Sequence, residues 1–266
     1  MAMQPGPPGN DDSAAPAGPG RTGWRRGITL TALFLGTAGL VASAAGVSAQ
    51  LLPRRFTATE QQQIMAWETA RRWRTMPAGK IFPATVTYQL PGYALEASTP
   101  LSLIAHLVGI ARQGTCQAAS DPAAAAVLSA HRCAAMLRAT YADQTDSMLV
   151  TVGVAVMPGN AAARSAAGQL SAGRQLRPSV RTVPFRDTLA QAFGDRQRQL
   201  SWAISAGPFL IMSTVGYADG RPREQVSSDP YASQEMASLA NGVAVAVGGP
   251  LSAPPPPPRC PGAPGC

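Results

Sequence analysis

The pattern of hydrophobic and polar residues divides the chain into a polar leader, one long apolar run and a region of short alternating elements. Residues 1–27 are rich in Pro, Gly and Ala with few apolar side chains, which predicts a disordered cytoplasmic tail. Residues 28–52 carry no charge, and a helix of that length spans about 37 Å, enough to cross a hydrocarbon core of about 30 Å. We therefore expect a transmembrane helix over 28–52. The alternative is a secretory signal cleaved after the small-residue sequence Val47-Ser48-Ala49.

The region 53–250 changes repeatedly between helix-like and strand-like patterns, which predicts one extracytoplasmic domain. The predicted helices are 60–75, 122–131, 160–170 and 229–247, and the predicted strands are 81–90, 136–141, 148–157, 201–205 and 209–217. The apolar run 101–111 fits either a strand or a helix. On 148–157, valines alternate with smaller residues, as expected of a strand beneath packed helices. The pattern therefore predicts an α+β fold with a mainly antiparallel sheet and helices packed on one face, followed by a proline-rich tail over 251–266.

The orientation of the predicted membrane segment is decided by the cysteines. Arginines flank the segment on both sides, so the positive-inside rule is nearly balanced. All four cysteines follow the segment, and they can pair with one another in an oxidising compartment. They are Cys116, Cys133, Cys260 and Cys266. We therefore expect a single-pass protein of the cell membrane with a cytoplasmic N-terminus and an extracytoplasmic C-terminal domain.

The charge balance is strongly basic, with 22 Lys+Arg against 14 Asp+Glu and a net charge of +8. Export argues against nucleic acid as a partner, and outside the cell this charge favours anionic lipid headgroups or acidic wall polymers. Lys80 is the only lysine, and asparagine occurs only at positions 10, 160 and 241, as expected from a GC-rich genome. Much of the arginine excess therefore needs no functional explanation.

A basic and aromatic helix is predicted directly after the apolar run, where such side chains can lie at a membrane interface. The candidate interface residues are Arg25 and Arg26 before the run, and Trp67, Arg71, Arg72, Trp73 and Arg74 after it. The alternative is a charged helix that covers its own domain, with both tryptophans in the core.

The cysteine spacing favours disulfides over a metal site or a nucleophile. Cys116 and Cys133 flank a predicted helix, and closing this loop would stabilise the fold by about 3 kcal/mol. Cys260 and Cys266 can close a small ring or link two chains. His131 is the only imidazole nearby, and no CxxC spacing supports a tetrahedral metal set. No nucleophile motif or phosphate-binding loop is present in the sequence, so we assign no catalytic, cofactor-binding or metal-binding residue.

The Pro/Gly-rich leader, the WRRG sequence at 24–27, the single apolar run and the cysteine-bearing domain resemble uncharacterised membrane-anchored extracytoplasmic proteins of high-GC actinobacteria. This resemblance implies a location at the cell membrane, but it assigns no chemical role to any residue. The expected function is a non-enzymatic domain that binds an envelope protein or a cell-wall component. The alternative is a cell-envelope enzyme, or an enzyme accessory, with a non-standard active site.

Overall fold

The computed structural model describes residues 55–92, 99–171, 176–225 and 230–259. Residues 56–259 form one compact unit, whose boundary lies nine residues beyond the predicted domain end at 250. The backbone N–H of Phe56 donates to the carbonyl of Arg259 at 3.1 Å, so the two ends of this unit lie side by side. The predicted leader, the apolar segment 28–52, Cys260 and Cys266 all lie outside the described residues.

The strands of the described region form one curled antiparallel sheet. They are β1 (Thr85–Leu90), β2 (Leu101–Ile110), β3 (Ala135–Asp143), β4 (Met148–Val156), β5 (Arg198–Ala206) and β6 (Phe209–Tyr217). Their order across the sheet is β1-β2-β3-β4-β6-β5, so β1 and β5 are its two edges. The run 101–111, which fitted a helix or a strand, contains β2. The predicted β3–β4 hairpin is confirmed, and so is the antiparallel α+β fold.

Local capping signals mark the start of two of the described α-helices. They are α1 (Ala58–Thr75), α2 (Ala78–Ile81), α3 (Pro122–Ala130), α4 (Asn160–Ser171) and α5 (Pro230–Ser252), with 3-10 turns at Leu189–Ala192, Asp195–Gln197 and Arg223–Gln225. Thr57 and Glu60 form a capping box at α1, and the Asp121 carboxylate accepts from the Ala124 N–H at the start of α3. The strand predicted over 81–90 begins only at Thr85, because residues 78–81 form a turn of helix that ends before Pro83.

The long helix α5 covers one face of the sheet. The valines of β4 at positions 150, 152 and 154 are fully buried with Val243 and Val247 of α5 in the main hydrophobic core. Glycines let α5 lie close to the strands, since a Cβ added at Gly242 would lie 2.3 Å from Cβ of Tyr88 and one added at Gly248 would lie 2.9 Å from Cβ of Ala206. Within the described ranges, no helix is both long enough and apolar enough to span a membrane.

The opposite face carries a second, smaller hydrophobic cluster built with α3 and α4. Met136, Leu210 and Met212 of the sheet pack there with Leu128 of α3 and Leu170 of α4. The small residues predicted on this side of β4 also make room for an extended segment. A Cβ added at Gly153 would lie 2.8 Å from Cγ2 of Val180. Residues 180–183, called the crossing segment below, therefore pass directly over β4.

Buried threonine hydroxyls hold this crossing segment to the sheet. Thr140 donates to the carbonyl of Val183 at 3.0 Å, and the Val183 N–H donates to the Thr151 hydroxyl at 3.1 Å. Thr214 donates to the carbonyl of Val180 at 2.9 Å. The segment thereby satisfies its backbone groups without being a strand of the sheet, and it fixes the neighbouring Arg181 at the surface.

Candidate functional site

The predicted membrane-interface residues of α1 separate into an exposed pair and a packed pair. Trp67 is 58% exposed, and the guanidinium carbon of Arg71 lies 4.5 Å from the centre of its ring. Trp73 is partly buried and packs against the main core, with Arg74 4.8 Å from the centre of its ring. One tryptophan therefore faces solvent and the other supports the fold.

Arg72 has a structural partner that the sequence did not suggest. Its Nη1 donates to the carbonyls of Pro250 at 3.0 Å and Leu251 at 3.3 Å, and also to that of Ala253. These carbonyls lie at the C-terminus of α5, where a helix has acceptors without an internal donor. Arg72 therefore caps α5 and joins it to α1. Arg25 and Arg26 lie outside the described residues.

The predicted disulfide between Cys116 and Cys133 is confirmed, with an S–S distance of 2.00 Å and a Cα–Cα distance of 6.2 Å. It joins the segment before α3 to the segment after it. The helix is therefore held at both ends by one covalent link.

Titratable side chains gather beneath the first turns of α5. The hydroxyl of Tyr88 is buried without a hydrogen-bond partner in the described part of the chain. Burial raises its pKa, and the carboxylates of Glu235 and Asp143 raise it further. The pKa of Glu235 is raised by burial first and by Asp143 second. These residues are far apart in the sequence, so no local spacing could have grouped them.

Asp143 serves the β3–β4 hairpin in this cluster. Its carboxylate accepts from the backbone N–H groups of Met148 at 2.6 Å and Thr145 at 3.1 Å, and from the hydroxyl of Thr145. These bonds hold the Asp143 carboxylate in the hairpin turn. Among the described residues, no group of three His, Cys, Asp or Glu could hold a metal ion. The described residues of this cluster thus carry charge but do not form a catalytic arrangement.

The edge of β1 that faces away from β2 presents backbone groups with no partner among the described residues. Among the described strands, β1 pairs only with β2. The Leu107 N–H donates to the carbonyl of Ala84. Hydrogen-bonded and non-hydrogen-bonded residue pairs alternate along an antiparallel ladder, so this bond fixes which residues of β1 bond to β2. The backbone N–H and C=O groups of Thr85, Thr87 and Gln89 consequently point away from β2. Their side chains are also exposed.

A groove of about 410 Å³ lies between this edge and α5. Thr87 and Gln89 form its strand side, and Ser238, Asn241 and Val245 form its helix side. Val245 is 54% exposed and places an apolar side chain on the helix side of the groove. The groove thus combines main-chain donors and acceptors with an uncharged, partly apolar wall. The alternation of Val86, Tyr88 and Leu90 predicted the strand but carried no signal that it would be an edge.

Comparison with known protein families, with curated protein sequences and with solved structures finds no match. No residue role is therefore transferred from a relative.

Proposed function

We propose that the chain is a single-pass membrane protein whose extracytoplasmic domain has no enzymatic role and binds an extended segment of another envelope protein. The segment would lie beside β1 as a seventh strand, with its side chains against the groove formed with α5. In this binding mode, main-chain hydrogen bonds supply affinity and the neighbouring side chains supply specificity.

The observation that carries the proposal is the outer edge of β1, which pairs with no described strand. Proteins usually protect such an edge with charged side chains, proline within the strand, a bulge or a covering element. The sequence of β1, TVTYQL, contains no charge and no proline, and its outward backbone groups face the groove. An uncharged peptide strand fits this surface better than an acidic wall polymer, because the groove walls carry no cation.

The membrane location rests on the apolar segment 28–52 and on the pairing of Cys116 with Cys133. Because α1 begins at Ala58, only five residues separate it from the end of that segment. We place the exposed side chains of Trp67 and Arg71 toward anionic lipid. Vesicle flotation of residues 53–266, which lack the apolar segment, tests this placement by comparing the unsubstituted domain with R71Q. Equal retention of the two on phosphatidylglycerol vesicles at low salt would contradict it.

Site-specific photo-cross-linking in intact cells tests the strand-addition proposal. A photoreactive amino acid replaces Asn241, which lies in the groove wall and is exposed. The control position is Ser165, which is exposed on α4. We expect one reproducible envelope protein attached at position 241 and not at 165, identified by mass spectrometry.

A substitution at Thr87 then separates strand addition from other contacts. T87P removes an N–H that points away from β2, so it leaves the β1–β2 ladder intact and prevents a partner strand from accepting that donor. T87V keeps the N–H and serves as the matched control. The cross-link should disappear in T87P and persist in T87V.

Two results would overturn the proposal. A partner captured equally well by T87P would bind without pairing to this edge. A cross-linked product made of two copies of this chain would show that β1 pairs with itself, as a symmetric antiparallel edge can.

A further inference from the structure

The exposed side chains of β1 form one row on the sheet face away from α5. The buried side chains of this strand face α5, because a Cβ added at Gly242 would lie 2.3 Å from Cβ of Tyr88. Successive side chains of a strand point to opposite faces, so Thr85, Thr87 and Gln89 lie on the other face, called the outer face below. The backbone groups of the same three residues point away from β2. A strand added there therefore places the side chains opposite these residues on the outer face.

The next row of the outer face comes from β2, and it is polar at both ends. Thr85 lies opposite His106, whose Nε2 is 3.2 Å from Oδ1 of Asp146. Gln89 lies opposite Ser102, and its Nε2 donates to Oγ of Ser102 at 3.2 Å. The polar groups at both ends of this row are thus engaged with side chains of the same chain.

The centre of this row is aliphatic. Ile104 lies opposite Thr87 and is 48% exposed. Its backbone N–H donates to Oε1 of Gln144 at 3.3 Å, which holds this part of β2 beside the β3–β4 turn. Thr87 is the smaller residue of the pair and stands at the sheet edge, so the Ile104 side chain is open to a group that passes over it.

The distances across a sheet decide which side chain can use this surface. The Cβ of a residue opposite Thr87 would lie about 5 Å from that of Thr87 and roughly 10 Å from that of Ile104. A short side chain at that position contacts only Thr87. An aromatic ring is long enough to lie across Thr87 and contact Ile104 as well, and such aromatic and β-branched neighbours stabilise a sheet.

We propose that the strand bound at β1 carries an aromatic residue opposite Thr87, with its ring lying across Thr87 and packed on Ile104. A ring opposite Thr85 or Gln89 would meet the polar pairs at the ends of the row, so the preference belongs to the central position. This inference rests on the strand addition proposed above, and it gives the partner segment a sequence feature by which it can be recognised.

Fluorescence anisotropy with two peptides tests the preference, using the full chain in phosphatidylcholine nanodiscs and empty nanodiscs as background. The probes are the fluorescein-labelled peptides KTVYVTK and KTVAVTK, which differ only in the central residue. We expect KTVYVTK to bind about threefold more tightly, the effect of one aromatic cross-strand contact. T87P should abolish binding of both peptides, and T87V should retain it.

Two substitutions on β2 connect the preference to Ile104. I104T should remove the difference between the peptides and leave the weaker binding of KTVAVTK unchanged. I110T makes the same substitution on the same strand, outside the stretch that pairs with β1, and should keep the difference of about threefold. Both variants retain a β-branched residue, so both preserve the strand propensity of β2.

The outcomes separate this inference from the strand addition on which it rests. Equal binding of the two peptides, or a difference that persists in I104T, would overturn the aromatic preference, and loss of both peptides in T87P would then leave strand addition standing. Peptide binding that survives in T87P would contradict pairing at this edge and the preference with it. If neither peptide bound although the cross-link at position 241 formed in cells, the aromatic preference alone would be wrong.

Discussion

Gly242 is the place where α5 lies closest to β1, and its substitution by alanine tests the packing that forms the groove. A Cβ added there would lie 2.3 Å from Cβ and 3.3 Å from Cα of Tyr88. The obstacle is therefore the backbone and the first side-chain atom of a strand, which cannot rotate away. We predict that G242A lowers the free energy of unfolding.

The magnitude follows from two opposing effects. Alanine improves the propensity of a helix interior by about 1 kcal/mol over glycine. Overpacking a tight contact costs about 1–3 kcal/mol, and an overlap with backbone atoms belongs at the upper end of that range. The net expectation for G242A is a loss of about 2 kcal/mol.

Gly168 in α4 is the matched control, because it is exposed and a Cβ added there meets nothing within 4 Å. G168A should gain about 0.5–1 kcal/mol from helix propensity alone. Urea unfolding of the two variants and the unsubstituted chain, followed by circular dichroism, measures the difference. If G242A were stabilised to the same extent as G168A, α5 would not contact β1 as described, and the groove would have a different shape.

Three further predictions concern the disulfide, the cap on α5 and the half-buried Glu235 carboxyl. Replacing both Cys116 and Cys133 by alanine should lower the free energy of unfolding by about 3 kcal/mol, the chain-entropy value for the loop that they close; an unchanged urea midpoint would refute it. R72M should cost about 1 kcal/mol through lost capping of α5. R71M should change stability by less than about 0.5 kcal/mol, because the recorded contact of Arg71 within the described residues is with the exposed ring of Trp67. Equal urea midpoints of these two variants would contradict the cap. The raised pKa of Glu235 means that folding disfavours its charged form, a penalty complete above the folded pKa and absent below the unfolded pKa of about 4.3. E235Q should therefore raise the thermal midpoint near pH 7.5 and lose this advantage near pH 4, and a constant difference across that range would contradict the shift.

The elements that the sequence predicted well are those specified by neighbouring residues. Asp121 and Pro122 mark the start of α3 because a cap and a first-turn proline act within one turn of helix. The valines of β4 indicate a buried strand because alternation requires only nine consecutive residues. Both signals are local, and both agree with the tertiary structure.

The features that the sequence did not predict depend on residues far apart in the chain. The partners of Arg72 are more than 170 positions away in the sequence. The only signal near Arg72 was the basic and aromatic composition of its own helix, and that composition suggested a membrane contact. The crossing segment around Val180 has no periodic pattern, because threonine hydroxyls of three different strands satisfy its backbone.

The contrast between the two edges of the sheet explains why strand addition is placed at β1. The other edge strand, β5, packs against both α4 and α5, so both of its faces are flanked by helices. Its ladder has a register shift after Arg198, and Arg198 is buried in an ion pair with Asp121. A bulge, an inward charge and flanking helices are devices that keep an edge from pairing. The edge of β1 has no bulge and no inward charge in the described structure, and α5 packs on one of its faces while the other face is exposed. At β5 the same chain supplies a bulge, an inward charge and helices on both faces. This asymmetry favours β1 as a surface kept available for a partner strand.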